Sequence, residues 1–292
     1  MVYNMYIDYC NLRRYPFMKK YLAIAMAALL LICSLASCAG GADGSIGEYT
    51  PEVDYLVTDQ GTFYFEEAEG EAAILTNYVG KATSGDHVVV PEKFGDRTVT
   101  AIGSQAFYNL SAIVEITLPE TIISIGSYAF ARCTELTEIK LPAGILEIGE
   151  GAFAQCTALT KVDLGNSILT IGEKAFNGCT ALEDITLPAT LTTIGRAAFT
   201  YCKSLPALTI PASVTSIGEL AYTDCVGIET ITFGSDATKI EAHAFEHADG
   251  TNLKDKFVVD GLAEGSKVLE YYNSLSDSPE TEPVTEAATD AE

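Results

Sequence analysis

The chain has 292 residues, of which 48% are hydrophobic, and its 17 Lys and Arg against 40 Asp and Glu give a formal net charge of −23. This hydrophobic content is too high for a disordered chain, so a sizeable core can be buried. Nucleic acids and anionic lipid surfaces are bound through Lys and Arg, so the acidic excess argues against both as partners.

The pattern of residues 1–37 indicates the signal peptide of a bacterial lipoprotein. A basic stretch leads into an apolar run over residues 22–33, which is shorter than the roughly 20 residues that span a bilayer but typical of a signal peptide. The run ends in Leu35-Ala36-Ser37-Cys38, which resembles a lipobox, where cleavage precedes a cysteine that then carries acyl chains. We therefore expect lipidation at Cys38 and an extracytoplasmic protein whose only membrane contact is this anchor. Met18 is an alternative start, and a signal peptide that releases a soluble protein is the alternative interpretation.

The segment after the signal peptide changes composition twice. Residues 38–54 are rich in Gly, Ala, Asp and Ser and predict a flexible tether. Residues 55–98 contain short strand-like runs separated by glycines. A stacked array of repeats needs its first apolar face covered, so we interpret residues 55–98 as an N-terminal β cap.

A segment that recurs every 23 residues is the decisive feature of the sequence. It begins at Ile102-Gly103, and Ile recurs at positions 125, 148, 171, 194, 217 and 240, with Gly after each Ile except the last, where Glu241 stands. An Ala-Phe pair follows in every turn, with Ala221-Tyr222 as the one variant. A cysteine lies three residues after the aromatic residue in five successive turns, at Cys133, Cys156, Cys179, Cys202 and Cys225.

Between these segments lies an alternating stretch such as Leu136-Thr137-Glu138-Ile139-Lys140-Leu141-Pro142. Its apolar positions point to one side of a strand, and Pro or Gly ends the strand in each turn. One such unit cannot bury its apolar residues alone, so neighbouring units must stack on it. We therefore predict a mainly β repeat solenoid over residues 99–250, in which each turn contains a strand, a second extended piece and a tight turn or a short helical or 3-10 stub.

The repeat, with Leu-Pro after the strand, then Ile-Gly, Ala-Phe and Cys, resembles the BspA-like leucine-rich-repeat family of bacterial surface proteins. The resemblance covers about residues 102–260. It implies a right-handed leucine-rich-repeat solenoid, often on a lipoprotein or wall-attached protein, and some members are adhesins that bind host matrix proteins or other cells. The family has no shared catalytic residues, so the resemblance implies no particular active site.

The chain after the repeats divides into two parts. Residues 251–274 contain a strand-like run and an amphipathic helical pattern, which we interpret as a C-terminal cap. Residues 275–292 are acidic, lack basic residues and contain almost no large apolar residue. Such a segment cannot offset its ordering entropy by burial, so we predict a disordered tail.

The five regularly spaced cysteines could indicate disulfides or a metal site, because disulfides persist outside the cytosol and adjacent turns lie within disulfide distance. However, five is an odd number, stacked side chains point the same way, and the sequence lacks the close CxxC pairs of zinc sites. We therefore predict a core ladder of buried thiols without metal. It lies beside an aromatic ladder that contains Phe107, Phe130, Phe153, Phe176 and Phe199.

The histidines do not form a known catalytic motif. His243 and His247 flank Glu246 at helical spacing, but a metalloprotease helix needs Glu directly after the first His, where Ala244 stands. We expect both histidines to be solvated surface residues. The sequence also lacks a GxSxG nucleophile elbow, and we predict a protein that is not an enzyme and has no cofactor.

The candidate binding surface is the outward-facing side of the first strand of each turn, where stacking creates two columns. The first contains Glu115, Glu138, Lys161 and Asp184, and the second contains Lys140, Asp163, Thr186, Thr209 and Thr232. Opposite charges are neighbours in both columns, a pattern that also stabilises cross-strand pairs, so a self-stabilising ladder is the alternative to a recognition site. Neither column has an aromatic residue or Arg, the usual hot-spot residues. Tyr108, Tyr128 and Tyr201 could supply an aromatic contact on another face.

These patterns together predict a lipid-anchored cell-surface binding or adhesion protein that presents its repeat surface to protein or glycan partners. The alternative is a structural or assembly subunit of the envelope that binds proteins of the same cell.

Overall fold

The computed structural model describes residues 55–80, 86–235, 238–259 and 262–275. The predicted signal peptide, Cys38 and the predicted tether lie outside the described residues, as do residues 276–292 of the predicted tail. Within the described residues, no helix has the length and apolar character needed to cross a membrane.

Short strands dominate the described residues, and one α-helix, α1, lies near the end, at Lys267–Ser274. A 3-10 helix at Lys254–Lys256 precedes it. The strands are β1 (Tyr55–Val57), β2 (Gly61–Glu67), β3 (Ala72–Gly80), β4 (Asp86–Val89), β5 (Lys93–Phe94), β6 (Arg97–Ile102), β7 (Ile113–Thr117), β8 (Ser124–Ile125), β9 (Glu138–Lys140), β10 (Glu147–Ile148), β11 (Lys161–Asp163), β12 (Thr170–Ile171), β13 (Asp184–Ile185), β14 (Thr193–Ile194), β15 (Ala207–Ile210), β16 (Ser216–Ile217), β17 (Thr230–Phe233) and β18 (Lys239–Ile240).

Parallel pairing between successive turns builds the array. An eleven-stranded sheet starts with the antiparallel strands β1, β2 and β3 and continues through β6 and the even-numbered strands to β18, with β5 pairing β6. A second sheet contains β4, β7, β9, β11 and β13, and a separate two-stranded sheet contains β15 and β17. Between successive repeats, the paired residues are 23 positions apart, as in Ile148↔Ile171. The predicted mainly β leucine-rich-repeat solenoid of about seven turns is therefore confirmed.

The glycine that follows the repeated Ile in all turns but the last is explained by the close approach of the preceding turn. A Cβ on Gly172 would lie 2.6 Å from the carbonyl oxygen of Ile148, and one on Gly149 would lie 2.8 Å from that of Ile125. Both contacts are with backbone that cannot move aside. The recurring Ile-Gly pair, which we call the Ile-Gly mark, therefore lies where the backbones of successive turns approach closely.

A ladder of stacked aromatic rings runs through the core. Neighbouring ring centroids are 5.1–5.3 Å apart, with interplanar angles of 12° or less, from Phe107 through Tyr222 to Phe245. Such stacking contributes about 0.5–1.5 kcal/mol per pair beyond the burial itself. At the two ends of the ladder, Tyr78 lies 5.5 Å from Phe107, and Phe257 contacts Phe245 edge-on. Strands and loops outside the repeats therefore cover the first and last rings of the ladder.

The five cysteines of the repeats are free and buried. Each thiol donates to the backbone carbonyl of the aromatic residue 26 positions earlier, at 3.0–3.2 Å, as from Cys179 to Phe153. Burial raises the pKa of Cys133 and Cys179 to about 12, so these thiols stay protonated and remain donors at physiological pH. The cysteines thus satisfy core carbonyls with a small, weakly polar side chain.

The segment between the Ile-Gly mark and the cysteine is a hydrogen-bonded turn, one of the two forms predicted for it. Within each turn, one or two residues have a positive φ, and most of these are not Gly: Gln105, Asn109, Tyr128, Arg132, Gln155, Lys174, Ala197, Tyr201, Leu220, Asp224 and His243. Backbone N–H groups here donate to the next turn, as from Tyr128 to Glu150 at 2.7 Å and from Arg132 to Ala154 at 2.8 Å. These bonds hold a left-handed backbone that non-glycine residues otherwise disfavour.

The strand ladder of the second sheet is interrupted between β13 and β15. In other turns, the residue before the strand donates its N–H to the preceding turn, as from Glu183 to Thr160 at 3.0 Å and from Glu229 to Pro206 at 2.9 Å. The equivalent residue of the intervening turn is Pro206 itself, which has no N–H. The loss of this donor coincides with the missing pairing between β13 and β15.

The C-terminal end of the described chain packs on the last turn. Ser266 caps α1 by accepting a hydrogen bond from the Leu269 N–H at 3.1 Å. Tyr271 is buried, and its Oη accepts from the Phe245 N–H at 3.3 Å. Leu275, the first residue of the predicted tail, is also buried, so the packed chain extends to this position.

Replacing Phe153 with Ala should lower the free energy of unfolding by about 3–5 kcal/mol, because it removes a fully buried ring and two stacked contacts. Urea unfolding followed by circular dichroism measures this. Tyr108→Ala is the control, since that ring is 40% exposed. A loss below about 1 kcal/mol for Phe153→Ala would show that the ladder is not a main source of stability.

The buried thiols predict that stability falls as the solution becomes alkaline. Their pKa is about 12 in the folded chain, for Cys133 and Cys179, whereas thiols of the unfolded chain ionise near pH 9, so the unfolded state binds fewer protons above that pH. Between pH 8 and 9.5 the free energy of unfolding should fall by roughly 1 kcal/mol per thiol. Urea unfolding at both pH values tests this, with pH 6 against pH 7 as the flat control. Equal stability at pH 8 and 9.5 would contradict it.

Candidate functional site

The predicted binding-surface residues all lie on one face, formed by the strands of the second sheet and of the β15–β17 pair. We call the two rows the strand-face columns. Thr232 is half-buried and the others are exposed. The first column contains Glu115, Glu138, Lys161, Asp184, Ala207 and Thr230, and the second contains Thr117, Lys140, Asp163, Thr186, Thr209 and Thr232.

The charges of the strand-face columns form few ion pairs. Lys161 Nζ lies 3.0 Å from Asp184 Oδ2, and the hydrogen bond and charge of Asp184 raise the pKa of Lys161. Among the described residues, no ion pair joins Lys140 to its neighbour Asp163. Of these two neighbouring charge pairs, only the first forms the cross-strand ion pair of a self-stabilising ladder. Exposed ion pairs of this kind contribute little to stability.

The His87 side chain extends the strand-face columns by one strand. It lies on β4, which pairs with β7, and its Nε2 is 2.9 Å from Thr117 Oγ1 and 3.8 Å from Glu115 Oε1. The face thus begins before the first repeat. His87 was not among the predicted binding-surface residues, because β4 belongs to the predicted cap.

A second polar surface lies on the turns, which we call the turn-face site. It is a depression of about 440 Å³ that extends from the fourth to the seventh turn, where the first turn begins at Ile102. The Tyr201 ring is 44% exposed there, with Lys203 Nζ 6.0 Å from its centroid. The polar and aromatic side chains that line the depression include Lys174, Asn177, Arg196, Tyr201, Asp224 and His247.

His247 lies in the turn-face site and is not solvated, so the prediction that both histidines are solvated surface residues was wrong for His247. Its side chain is 12% exposed, its Nδ1 has no hydrogen-bond partner, and that atom lies 3.6 Å from Asp224 Oδ1. His243 is exposed as predicted, and its Nδ1 lies 2.9 Å from Glu246 Oε2. Among the described residues, no group of three or more His, Cys, Asp or Glu side chains is arranged to hold a metal ion.

The three tyrosines considered as aromatic contacts have different environments. Tyr108 and Tyr201 are exposed, and the Arg132 guanidinium lies 6.0 Å from the Tyr108 ring. Tyr128 donates to Glu150 Oε1 at 2.5 Å, a bond that raises its pKa to about 12. Tyr108 and Tyr201 are therefore the rings available to a partner, and Tyr201 alone is in the turn-face site.

Six copies of the BspA-type leucine-rich-repeat region match the chain, over residues 93–205 and 147–257. The chain belongs to this family. The match spans more than half of the 292 residues and coincides with the turns described above. No curated protein matches the chain.

The chain is also similar to solved structures of leucine-rich-repeat proteins. A leucine-rich cell surface protein from Faecalibacterium prausnitzii is 27% identical, with a TM-score of 0.50 over 62% of this chain and 55% of that chain. A leucine-rich-repeat protein from Eubacterium ventriosum is 26% identical, with a TM-score of 0.46 over 60% and 50%. A leucine-rich-repeat protein from T. pallidum is 25% identical, with a TM-score of 0.43 over 62% and 79%. This chain therefore spans about half the length of the first two.

Replacing both Lys161 and Asp184 with Ala should leave the thermal midpoint unchanged within experimental error, because their side chains are 55% and 60% exposed and the pair lies in solvent. Differential scanning calorimetry measures the midpoint. Replacement of the buried neighbour Val162 with Ala is the destabilising comparison. A large loss in the double variant would show that the columns serve stability.

Proposed function

We propose that this BspA-type protein is a lipid-anchored, non-enzymatic cell-surface binding or adhesion protein that presents its repeat surface to a protein or glycan partner. The observation that carries the proposal is the pair of strand-face columns, which expose polar side chains on six successive turns. At about 4.8 Å between neighbouring strands, six turns give a face on the order of 24 Å long. That length suits several residues of a peptide or several sugar rings.

The chemistry of the strand-face columns supports polar recognition. Hydroxyl, carboxylate and ammonium groups supply both donors and acceptors, and few of the charged groups are already paired within the columns. Without an aromatic or Arg anchor, each contact is weak. Binding through this face would therefore depend on many contacts in register, which the constant spacing of the turns provides.

The turn-face site supplies what the strand-face columns lack. Tyr201 offers an aromatic ring, and Asn177, Asp224 and His247 offer planar hydrogen-bonding groups beside it. The apolar face of the ring can pack on the carbon atoms of a sugar, while the polar groups beside it can hydrogen-bond to the hydroxyls of the sugar. This arrangement supports a glycan as one class of partner.

The buried thiols are compatible with a location outside the cytoplasm. Five free cysteines would be vulnerable to oxidation there if they were exposed thiolates. In this chain they are buried, and burial raises their pKa, so they are poor nucleophiles. Cys38, by contrast, would be the residue that carries the lipid anchor.

A binding screen tests the proposal. The processed protein should bind at least one member of a panel of immobilised matrix proteins and glycans, as measured by surface plasmon resonance. Lys140→Ala with Asp163→Ala should weaken that binding about tenfold or more, because both exposed charges lie at the centre of the strand face.

The matched control carries Glu147→Ala and Lys239→Ala, an acid and a base exposed on strands of the long sheet. Equal weakening by both double variants would exclude the strand face as the binding surface. Absence of any binding above background would contradict the proposed function, and Cys38→Ala should separately abolish labelling of the protein with radioactive palmitate.

A further inference from the structure

Two departures from the repeat occur close to one opening in the array. Each position of the repeat recurs in the other turns, so a residue that departs from the pattern can be identified by comparing equivalent positions. Pro206 stands where other turns have an N–H donor, and Tyr222 stands where they have Phe. Both residues border or adjoin the place where β13 and β15 fail to pair.

A cleft of about 310 Å³ opens at this place. Ile185 and Leu187 line it from one turn, and Leu205 and Leu208 line it from the next. Ile185 is half-buried, whereas its counterpart Val162 in the preceding turn is 3% exposed, so the opening exposes a core position. The volume is at the lower end of the range of about 300–1,000 Å³ for ligand pockets.

The cleft reaches the aromatic ladder of the core. Phe199 and Tyr222 both line it. The Tyr222 side chain is fully buried, and its Oη has no hydrogen-bond partner. A Phe at this position would stack as in the other turns without burying a hydroxyl, so Tyr222 brings to the wall of the cleft a donor that the fold does not use.

The walls of the cleft provide backbone groups as well. None of the described backbone hydrogen bonds joins residues 184–187 to residues 207–210. The facing edges of β13 and β15 are therefore strand edges without a partner, the feature to which an extended peptide adds. Thr186 and Thr209 place the mouth of the cleft on the strand-face columns.

The lining also restricts the charge of the occupant, since it contains only apolar side chains, threonines and one tyrosine. A charged group would lose its hydration there without gaining an opposite charge. A neutral side chain with an apolar body and a polar end suits both the walls and the buried hydroxyl.

We propose that the cleft binds an extended segment of a partner polypeptide, which inserts a neutral aromatic side chain with a polar end, such as tyrosine, between the fourth and fifth turns. The inserted side chain packs on Leu187 and Leu208 and receives a hydrogen bond from Tyr222 Oη, while the peptide backbone pairs with the unpaired strand edges. This inference rests on the proposed function, because it names the class of partner for the same strand face.

Blocked tripeptides of the form acetyl-Gly-X-Gly-amide, with X as Tyr, Phe, Leu or Asp, are the probes. Saturation-transfer NMR with the processed protein measures their affinities. The Tyr peptide should bind at least tenfold more tightly than the Asp peptide. Tyr222→Phe should weaken the Tyr peptide about fivefold and leave the Phe peptide unchanged, as expected for one lost hydrogen bond.

Pro206→Thr restores an N–H donor at the interrupted step, as at the equivalent Thr160, and should abolish binding of all the peptides by closing the cleft. The controls are Tyr108→Phe, on an exposed ring, and Pro119→Thr, at a strand end elsewhere in the array; both should bind like the unaltered protein. Thermal unfolding verifies that the variants fold.

Equal binding of the Tyr and Asp peptides, or an unchanged Tyr affinity in Tyr222→Phe, would overturn the proposal. Retained binding in Pro206→Thr would do the same. If no tripeptide binds while matrix proteins or glycans still bind the strand face, the cleft holds only water and the proposed function survives. Loss of both kinds of binding overturns both.

Discussion

The backbone hydrogen bonds between successive turns are the interaction on which the rest of the structure depends. Because the turns repeat every 23 residues, each N–H meets the same carbonyl of its neighbour, as where Phe130 bonds to Ala152 and Phe153 to Ala175, both at 2.8 Å. Most core side chains then lie against the same or a similar apolar residue of the neighbouring turn. The ring ladder, the thiol ladder and the glycines at the close approach all follow from this one register, and stability accumulates turn by turn.

The same dependence gives meaning to the places where the repeat changes. Pro206 removes one donor from the ladder, and Tyr222 buries a hydroxyl that has no partner, which costs about 1–3 kcal/mol. In an array whose stability is a sum over neighbouring turns, both changes weaken the same part of the stack. The long sheet and the ring ladder continue past this point, so the opening is confined to the strand face.

The sequence predicted the parts of the structure that depend on period and polarity. The strands, the buried Ile and Phe positions and the solenoid follow from identical residues at constant spacing, because stacking places like on like. The left-handed turn positions did not follow, since Lys174, Leu220 and similar residues carry none of the Gly or Asn signal for a positive φ. The burial of His247 depends on its neighbour Asp224 and on the end of the array. Register alone also does not determine which exposed charges meet, as the unpaired neighbours Lys140 and Asp163 show.

Stability and recognition are carried by different sides of the same strands. The inward positions stay apolar in successive turns, because a changed volume would disturb two neighbouring turns at once. The outward positions vary, as from Glu138 to Lys161 and from Ala207 to Thr230, while the paired strands stay in register. A surface residue can therefore change at little cost to the fold. This separation makes the solenoid suited to a protein whose partner surface must vary, and it explains why the repeat identifies the scaffold more clearly than the ligand.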